Sequence, residues 1–402
     1  MTTMRPEGRT EAENAARATL PAALDCVHCG LCLDTCTTYR ISGDETESPR
    51  GRIALLRAEA EGRLDADAIA GPLDRCVGCR ACESVCPSQV QYHVLLEAHR
   101  DRTASPRLLR RLDRVFSSRR LLHALGLAAR AARRLGLLRL AATLPSARLR
   151  ALASAVPSRP RRRLPRAGST YPALGERRGA VSLHLGCVQP ELLGGVVDDA
   201  LAVLRQQGFE VHVPAQPTCC GALHAHAGGG AEGRALARAT LTALQGATPV
   251  VPSAGCAAHL HGVDPQAGAQ EVLLFLAAQG LRGPLREQRV RVAYDPPCHL
   301  DHALGARDQV PALLRSLPGV ELVAHAHPEV CCGAGGISFL REAEQGLAMA
   351  AAKAEALADA APDVVVTGNP GCLMQVEAGL RARGLKTPVL HPLALLRAAC
   401  DA

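Results

Sequence analysis

The chain has 402 residues, enough for two or three domains with buried cores. It contains no Trp, four Tyr and four Phe, so its cores must be built from small aliphatic side chains. Its formal net charge of +8 is unevenly spread, and its longest apolar stretch, Leu121–Leu144, is broken by Arg130, Arg133, Arg134 and Arg139, short of the roughly 20 uninterrupted residues a membrane span requires.

Residues 1–19 are polar and charged, with no apolar core to serve as a secretion signal, and are expected to form a flexible N-terminus. Residues 20–100 carry two near-identical runs, Cys26-Val-His-Cys29-Gly-Leu-Cys32-Leu-Asp-Thr-Cys36 and Cys76-Val-Gly-Cys79-Arg-Ala-Cys82-Glu-Ser-Val-Cys86. Both read C-x2-C-x2-C-x3-C, which sets three thiolates around one [4Fe–4S] cube while the fourth ligates the neighbouring cluster. Cluster one is therefore assigned to Cys26, Cys29, Cys32 and Cys86, and cluster two to Cys76, Cys79, Cys82 and Cys36. A structural zinc site takes four ligands, usually as two separated pairs, and does not match this spacing. A disulfide framework fits no better, since 17 is an odd number of cysteines and the chain is long. Iron–sulfur assembly needs reduced thiols, which points to the cytoplasm.

Between the runs, Pro49–Gly62 places Ile53, Leu56 and Ala60 at helical spacing, with Gly62 set to end the helix. This predicts a helical ferredoxin domain. Residues 101–170 change to Arg-rich sequence with interleaved Leu, including Arg107, Arg110, Arg111, Arg114, Arg119, Arg120, Arg148, Arg150 and Arg161–Arg163. One to three amphipathic basic helices are expected, followed by a Pro/Arg linker around Pro157–Pro172. They are read either as a solvated connector or as a surface for acidic lipid headgroups or an acidic partner. No aromatic or Gly-rich recognition motif accompanies them, so no nucleic-acid partner is expected.

Residues 180–285 and 286–402 alternate strand and helix and repeat one another. The first copy gives a strand from Ala180 to Cys187, a helix near 192–207, Phe209–Val213, Cys219-Cys220-Gly221, a helix near 231–245 and Val250–Cys256. The second gives Arg289–Cys298, a helix near 306–316, Val320–Val323, Cys331-Cys332-Gly333, a helix near 340–359 and Val364–Cys372. Such alternation implies mainly parallel sheets, whose ligand crevice lies beyond the carboxyl ends of the strands. Cys187, Cys219, Cys220 and Cys256 should converge there, as should Cys298, Cys331, Cys332 and Cys372. The fold class expected is thus α+β and multidomain: a helical two-cluster ferredoxin domain, a basic helical connector and a pair of repeated α/β domains.

A C-xn-CCG-xn-C pattern in two copies resembles the cysteine-rich CCG domain of heterodisulfide reductase and related oxidoreductase subunits. That family usually ends each motif C-x-x-C, where this chain has Ser253 and Asn369 at the first position; with the other alignment, His259 or Gln375 would stand at the second. Four thiolates can still hold a four-iron cluster, so one or two further clusters are expected, with the second copy either cluster-bearing or empty. The whole chain is similar to iron–sulfur subunits of bacterial glycolate oxidase (glycolate dehydrogenase), through Cys26–Cys32, Ser48-Pro-Arg-Gly-Arg52, Leu73–Cys79, Gln91–Leu96 and Asp295-Pro-Pro-Cys-His-Leu300; Thr37 departs from it where Pro is usual.

The resemblance implies a subunit of an oxidoreductase complex with no catalytic residue of its own. The flavin would lie on partner dehydrogenase subunits, and electrons would pass along this chain to a quinone or another membrane acceptor. The connector would give peripheral contact with the inner membrane. Related chains serve glycerol-3-phosphate and D-lactate dehydrogenases or heterodisulfide reductase, and these stay open, as does a non-enzymatic redox sensor. No strand leads into G-x-G-x-x-G, and Gly228–Gly230 reads as loop. Arg52, Arg75 and Arg80 beside the cluster ligands would raise cluster potentials or serve as ordinary ion-pair arginines. His93, His184, His224, His226, His299 and His302 read as hydrogen-bonding side chains, and Cys400 as a spare thiol.

Overall fold

The computed structural model describes residues 20–116, 118–157, 164–216 and 219–400. The expected flexible N-terminus and Arg161–Arg163 lie outside them. The first third is helical, as its pattern requires. In the helix Pro49–Ala60, Ser48 caps by accepting from the Gly51 N–H, and Pro49 occupies the first turn where no N–H is needed. Ile53 and Leu56 point into a core with Ile69, Leu73, Leu95 and Leu96, the last two from the helix Tyr92–Thr103.

Among the described residues the connector forms four helices instead of one to three: Pro106–Phe116, Arg119–Arg134, Leu137–Thr143 and Ala147–Ala155. Ser118 caps the second, left-handed Gly136 separates the second from the third, and Pro145 follows the third. The last helix buries Ala151, Ala153 and Ala155 against the body, and Arg381 donates to the Ser154 carbonyl at 2.7 Å.

Two sheets follow. The first orders β1 (Thr170–Tyr171), β3 (Phe209–His212), β2 (Gly179–Leu183), β4 (Thr248–Val251) and β5 (Gln270–Glu271). The second orders β7 (Val320–Val323), β6 (Val290–Tyr294), β8 (Val364–Val366) and β9 (Val389–Leu390). All pairs are parallel except β1 with β3. Apart from the added edge strand β1, the order is the same in both sheets, so the repeat read from the cysteines is also a repeat of topology. Register sets Val181 beside Val211 and Val292 beside Val364, and one apolar core spans the two sheets. Val364–Val366 are all buried, as expected of a strand covered on both faces.

Candidate functional site

The two ferredoxin-type runs fold alike. His28 and Gly78, and then Gly30 and Arg80, occupy matching places and all take the left-handed conformation, with φ of 54° and 65°, then 86° and 64°. The shared turn wraps each run around its own cavity. Cys26, Cys29 and Cys32 line one cavity with Cys86, which arrives from the other run, and Cys82 borders this cavity as well as the second. Cys76, Cys79 and Cys82 line the second with Cys36, again exchanged between runs. Among the described residues, no group of His, Cys, Asp or Glu is gathered tightly enough to hold a single metal ion; the thiols ring cavities instead.

The second cavity has a built-in cation. Arg52 is 1% exposed, donates to Thr38 Oγ1 at 2.9 Å and to the Pro72 carbonyl at 2.7 Å, and reaches Cys36 Sγ at 3.9 Å. Its Nη2 is buried without a partner, the situation a bound anionic iron–thiolate cluster would relieve. Burial alone would lower the Arg52 pKa, but Cys76, Tyr92 and Cys36 raise it. Arg75 and Arg80 are spent on ion pairs with Glu47 and Glu83. Arg52→Leu is therefore expected to lower the midpoint potential of the cluster at Cys36 and Cys76, whereas Arg80→Leu changes it little; potentiometric EPR titration separates the two.

Burial pushes the thiols of Cys79 and Cys82 well up, and Cys32 to about 11. Metal coordination removes that cost, because a coordinating thiol is deprotonated outright. The donor set, the cavities and the orphaned guanidinium nitrogen fit an iron–sulfur cluster in each half of this domain.

In the repeated sheets, the cysteines gather at the carboxyl ends of the strands. Cys219 and Cys187 sulfurs lie 3.6 Å apart, and Cys220 and Cys256 3.1 Å apart. Cys332 and Cys372 lie at 3.3 Å, with Cys298 set against Cys331. Gly221 and Gly333 each donate their N–H to the first sulfur of the preceding pair at 3.4 Å. In the first copy, hydrogen bonds from neighbouring thiols draw Cys219 and Cys256 toward thiolate, Cys256 to about 5.

Ser253 and Asn369 begin the helices Ala254–Val263 and Pro370–Ala382, and they face each other. The Asn369 Oδ1 accepts from the Gly255 N–H at 3.1 Å and from the Ser253 hydroxyl at 3.2 Å, and its Nδ2 lies 3.8 Å from Cys372 Sγ. The two positions that lack cysteine thus tie one copy to the other. Asn369→Ala leaves the Gly255 N–H without its acceptor and is expected to cost about 1–3 kcal/mol, read as a shift in denaturation midpoint at unchanged iron content.

The second ferredoxin-type run is seated on the second copy. Cys79, Cys298, Cys331, Val77 and Met349 share one apolar cluster, and Cys298 raises the Cys79 pKa. Thr37 accepts from the Cys331 N–H at 3.1 Å, so the residue that replaces the usual proline makes a contact between the domains. The first copy is pinned by Arg100, whose guanidinium donates to the carbonyls of Cys76 at 2.5 Å and His226 at 3.2 Å. Gly228 and Gly229 are loop, as expected, while Gly230 starts the helix Gly230–Ala243 and donates its N–H to Asp101 at 2.9 Å, so the stretch packs on the ferredoxin-type domain. Asp295 and Lys353, each buried, form an ion pair at 2.9 Å beside the cysteines of the second copy. Lys353 is one of only two lysines among 46 basic residues, and that rarity in an Ala-rich helix was its only signal.

The six histidines divide. His93 pairs with Glu83 at 2.9 Å and His302 with Ser84 at 3.0 Å. His184 and His224 stand beside Cys256 and Cys219 and favour their thiolates, His299 Nδ1 lies 3.5 Å from Cys298 Sγ, and the His226 and His299 rings are 5.5 Å apart. Gln207 donates to the Cys400 sulfur at 3.3 Å.

Residues 22–90 match the 4Fe-4S dicluster domain family, and residues 181–261 and 292–377 the cysteine-rich domain family. The chain is 31% identical to the "Probable glycolate oxidase iron-sulfur subunit" of Bacillus subtilis (strain 168), covering 97% of this chain and 96% of the relative. It is 31% identical to the "Glycolate oxidase iron-sulfur subunit" of Escherichia coli (strain K12), covering 99% and 98%. It is also 28% identical to "Lactate utilization protein A" of Oceanobacillus iheyensis, over 52% of this chain and 93% of that protein.

Proposed function

The chain belongs to the family of glycolate oxidase iron–sulfur subunits, and from that premise we propose that it relays electrons from a partner flavin subunit oxidising a 2-hydroxy acid, glycolate first, to a quinone or another membrane acceptor. Clusters bound by its thiolates would supply one-electron transfer. The proposed ligands are Cys26, Cys29, Cys32 and Cys86 for one cluster and Cys76, Cys79, Cys82 and Cys36 for the other. Cys187, Cys219, Cys220 and Cys256, and Cys298, Cys331, Cys332 and Cys372, are proposed to hold one further cluster each. Gly221 and Gly333 would keep an N–H on each of these sites, Arg52 a positive charge on the second ferredoxin-type site, and Asn369 the alignment between the copies. A cytoplasmic place, with peripheral membrane contact through the Arg-rich connector, is proposed with it.

One observation carries the reading: Cys79 shares an apolar cluster with Cys298 and Cys331, so the ferredoxin-type cysteines and those of the second copy form a continuous path. A lactate partner is the second reading, favoured only by the half-length relative. A heterodisulfide-reductase role is not favoured, because Ser253 and Asn369 are committed to each other where that chemistry's extra cysteines would stand. The test is capture of the flavoprotein by the tagged full chain, followed by addition of glycolate, D-lactate or glycerol 3-phosphate under anaerobic conditions. Glycolate alone should reduce the chain. Reduction by one of the others alone replaces the substrate assignment, and absence of any co-purifying flavoprotein overturns the relay.

A further inference from the structure

We infer that the connector surface over residues 119–152 is built to dock on anionic lipid headgroups. Between Asp113 and Glu176 the sequence holds fourteen arginines and no acidic residue. The rest of the chain holds 32 Lys and Arg against 38 Asp and Glu, a net −6, so the entire positive excess of the protein lies in this segment. The same segment exposes leucine. Leu135, Leu137, Leu140, Leu149 and Leu152 are 44–74% exposed. The helix Leu137–Thr143 contains three leucines and buries none of its residues. Leu137, Leu140 and Leu144 recur at the spacing of one helical stripe.

This apolar surface is not what holds the connector to the body. That attachment uses Ala151, Ala153 and Ala155, the Arg130 bond to the Glu191 carbonyl at 2.7 Å and the Arg381 bond to Ser154. Arg134, Arg139 and Arg148 stay exposed beside the leucines. Leucine and arginine on short helices, without acidic residues, is the composition of a helix lying in the plane of a bilayer interface. The stretch has none of the Tyr, Trp or Met that protein interfaces favour with Arg. Among the described residues no helix is long and apolar enough to cross a membrane, so contact here would be from one side. The inference deepens the membrane-acceptor reading, but its test reads lipid binding alone, so either can fail without the other.

The experiment is co-sedimentation of the full, cluster-loaded chain with vesicles of phosphatidylcholine alone or mixed with phosphatidylglycerol. The chain should sediment only with the phosphatidylglycerol vesicles and be released by high salt. Arg139→Gln with Arg148→Gln should weaken binding by about 25-fold, about fivefold per arginine. Leu137→Glu with Leu140→Glu should abolish it, with iron content and melting temperature unchanged because both side chains are exposed. No binding to phosphatidylglycerol vesicles, or equal binding by both variants, overturns the inference. So does loss of flavoprotein capture by the leucine variant when the unaltered chain binds no lipid, which would make this a protein interface.

Discussion

Lys353→Met is expected to destabilise the chain by about 3–5 kcal/mol, because it strands Asp295 as an uncompensated charge in the core. Both side chains are at most 3% exposed, their charged atoms are 2.9 Å apart, and Lys353 also donates to the carbonyls of His327 and Pro328 at 3.1 and 3.2 Å. Burial alone would lower the Lys353 pKa, and the attraction of Asp295 more than offsets it. Asp295 opens the turn to Cys298, so the damage should reach the cysteines of the second copy before those of the first. Replacing both partners, Lys353→Met with Asp295→Leu, should recover most of the loss, since a buried pair exchanged for apolar groups is often neutral or stabilising. Denaturation midpoints at matched iron content provide the readout. A single variant that loses less than about 1 kcal/mol, the range of exposed pairs, would show that the pair is solvated.

Gly221→Ala is expected to cost about 2–5 kcal/mol. The left-handed backbone, φ +85°, accounts for about 1–2 kcal/mol of that for any residue with a Cβ. Overpacking adds about 1–3 kcal/mol, because the new Cβ would lie 2.1 Å from the Gly233 carbonyl oxygen, and backbone cannot swing aside. Gly246→Ala is the control: its φ is +97°, but no atom lies within 4 Å of the added carbon, so only the conformational cost should appear. Gly333→Ala should fall between them, since its closest neighbour is the Met349 side chain at 2.7 Å. Equal losses at Gly221 and Gly246 would mean that the second half of the Cys-Cys-Gly motif is not read through close approach.

Much of the fold was legible from chemistry the sequence cannot hide. Cysteine spacing marked both ferredoxin-type runs, and strand–helix alternation marked both sheets, because Val364–Val366 and Val290–Tyr294 carry their burial in their composition. The two-residue strands β1, β5 and β9 were not, since two residues show no period. The third connector helix, Leu137–Thr143, escaped because seven residues after Arg134 are too few to stand apart from the helix before it, and only the left-handed Gly136 divides them. Contacts between distant segments were the least visible. Thr37 on Cys331, Asn369 on Gly255 and Arg100 on the Cys76 and His226 carbonyls join residues 24 to 294 positions apart, and no local pattern encodes such pairs. The packing of Gly228–Gly230 is equally hidden, because what fixes it, Asp101 and the backbone of Arg100, lies on another domain.

The relay is tested most directly by anaerobic EPR of the assembled complex after glycolate is added, with the unaltered chain and with Cys79→Ser. The account predicts that flavin reduction is followed by reduced-cluster signals from this chain, and that Cys79→Ser removes the signal of the cluster bounded by Cys36 and Cys76 and lowers iron by about four atoms, one cube. Flavin bleaching while the clusters of this chain stay oxidised would contradict it.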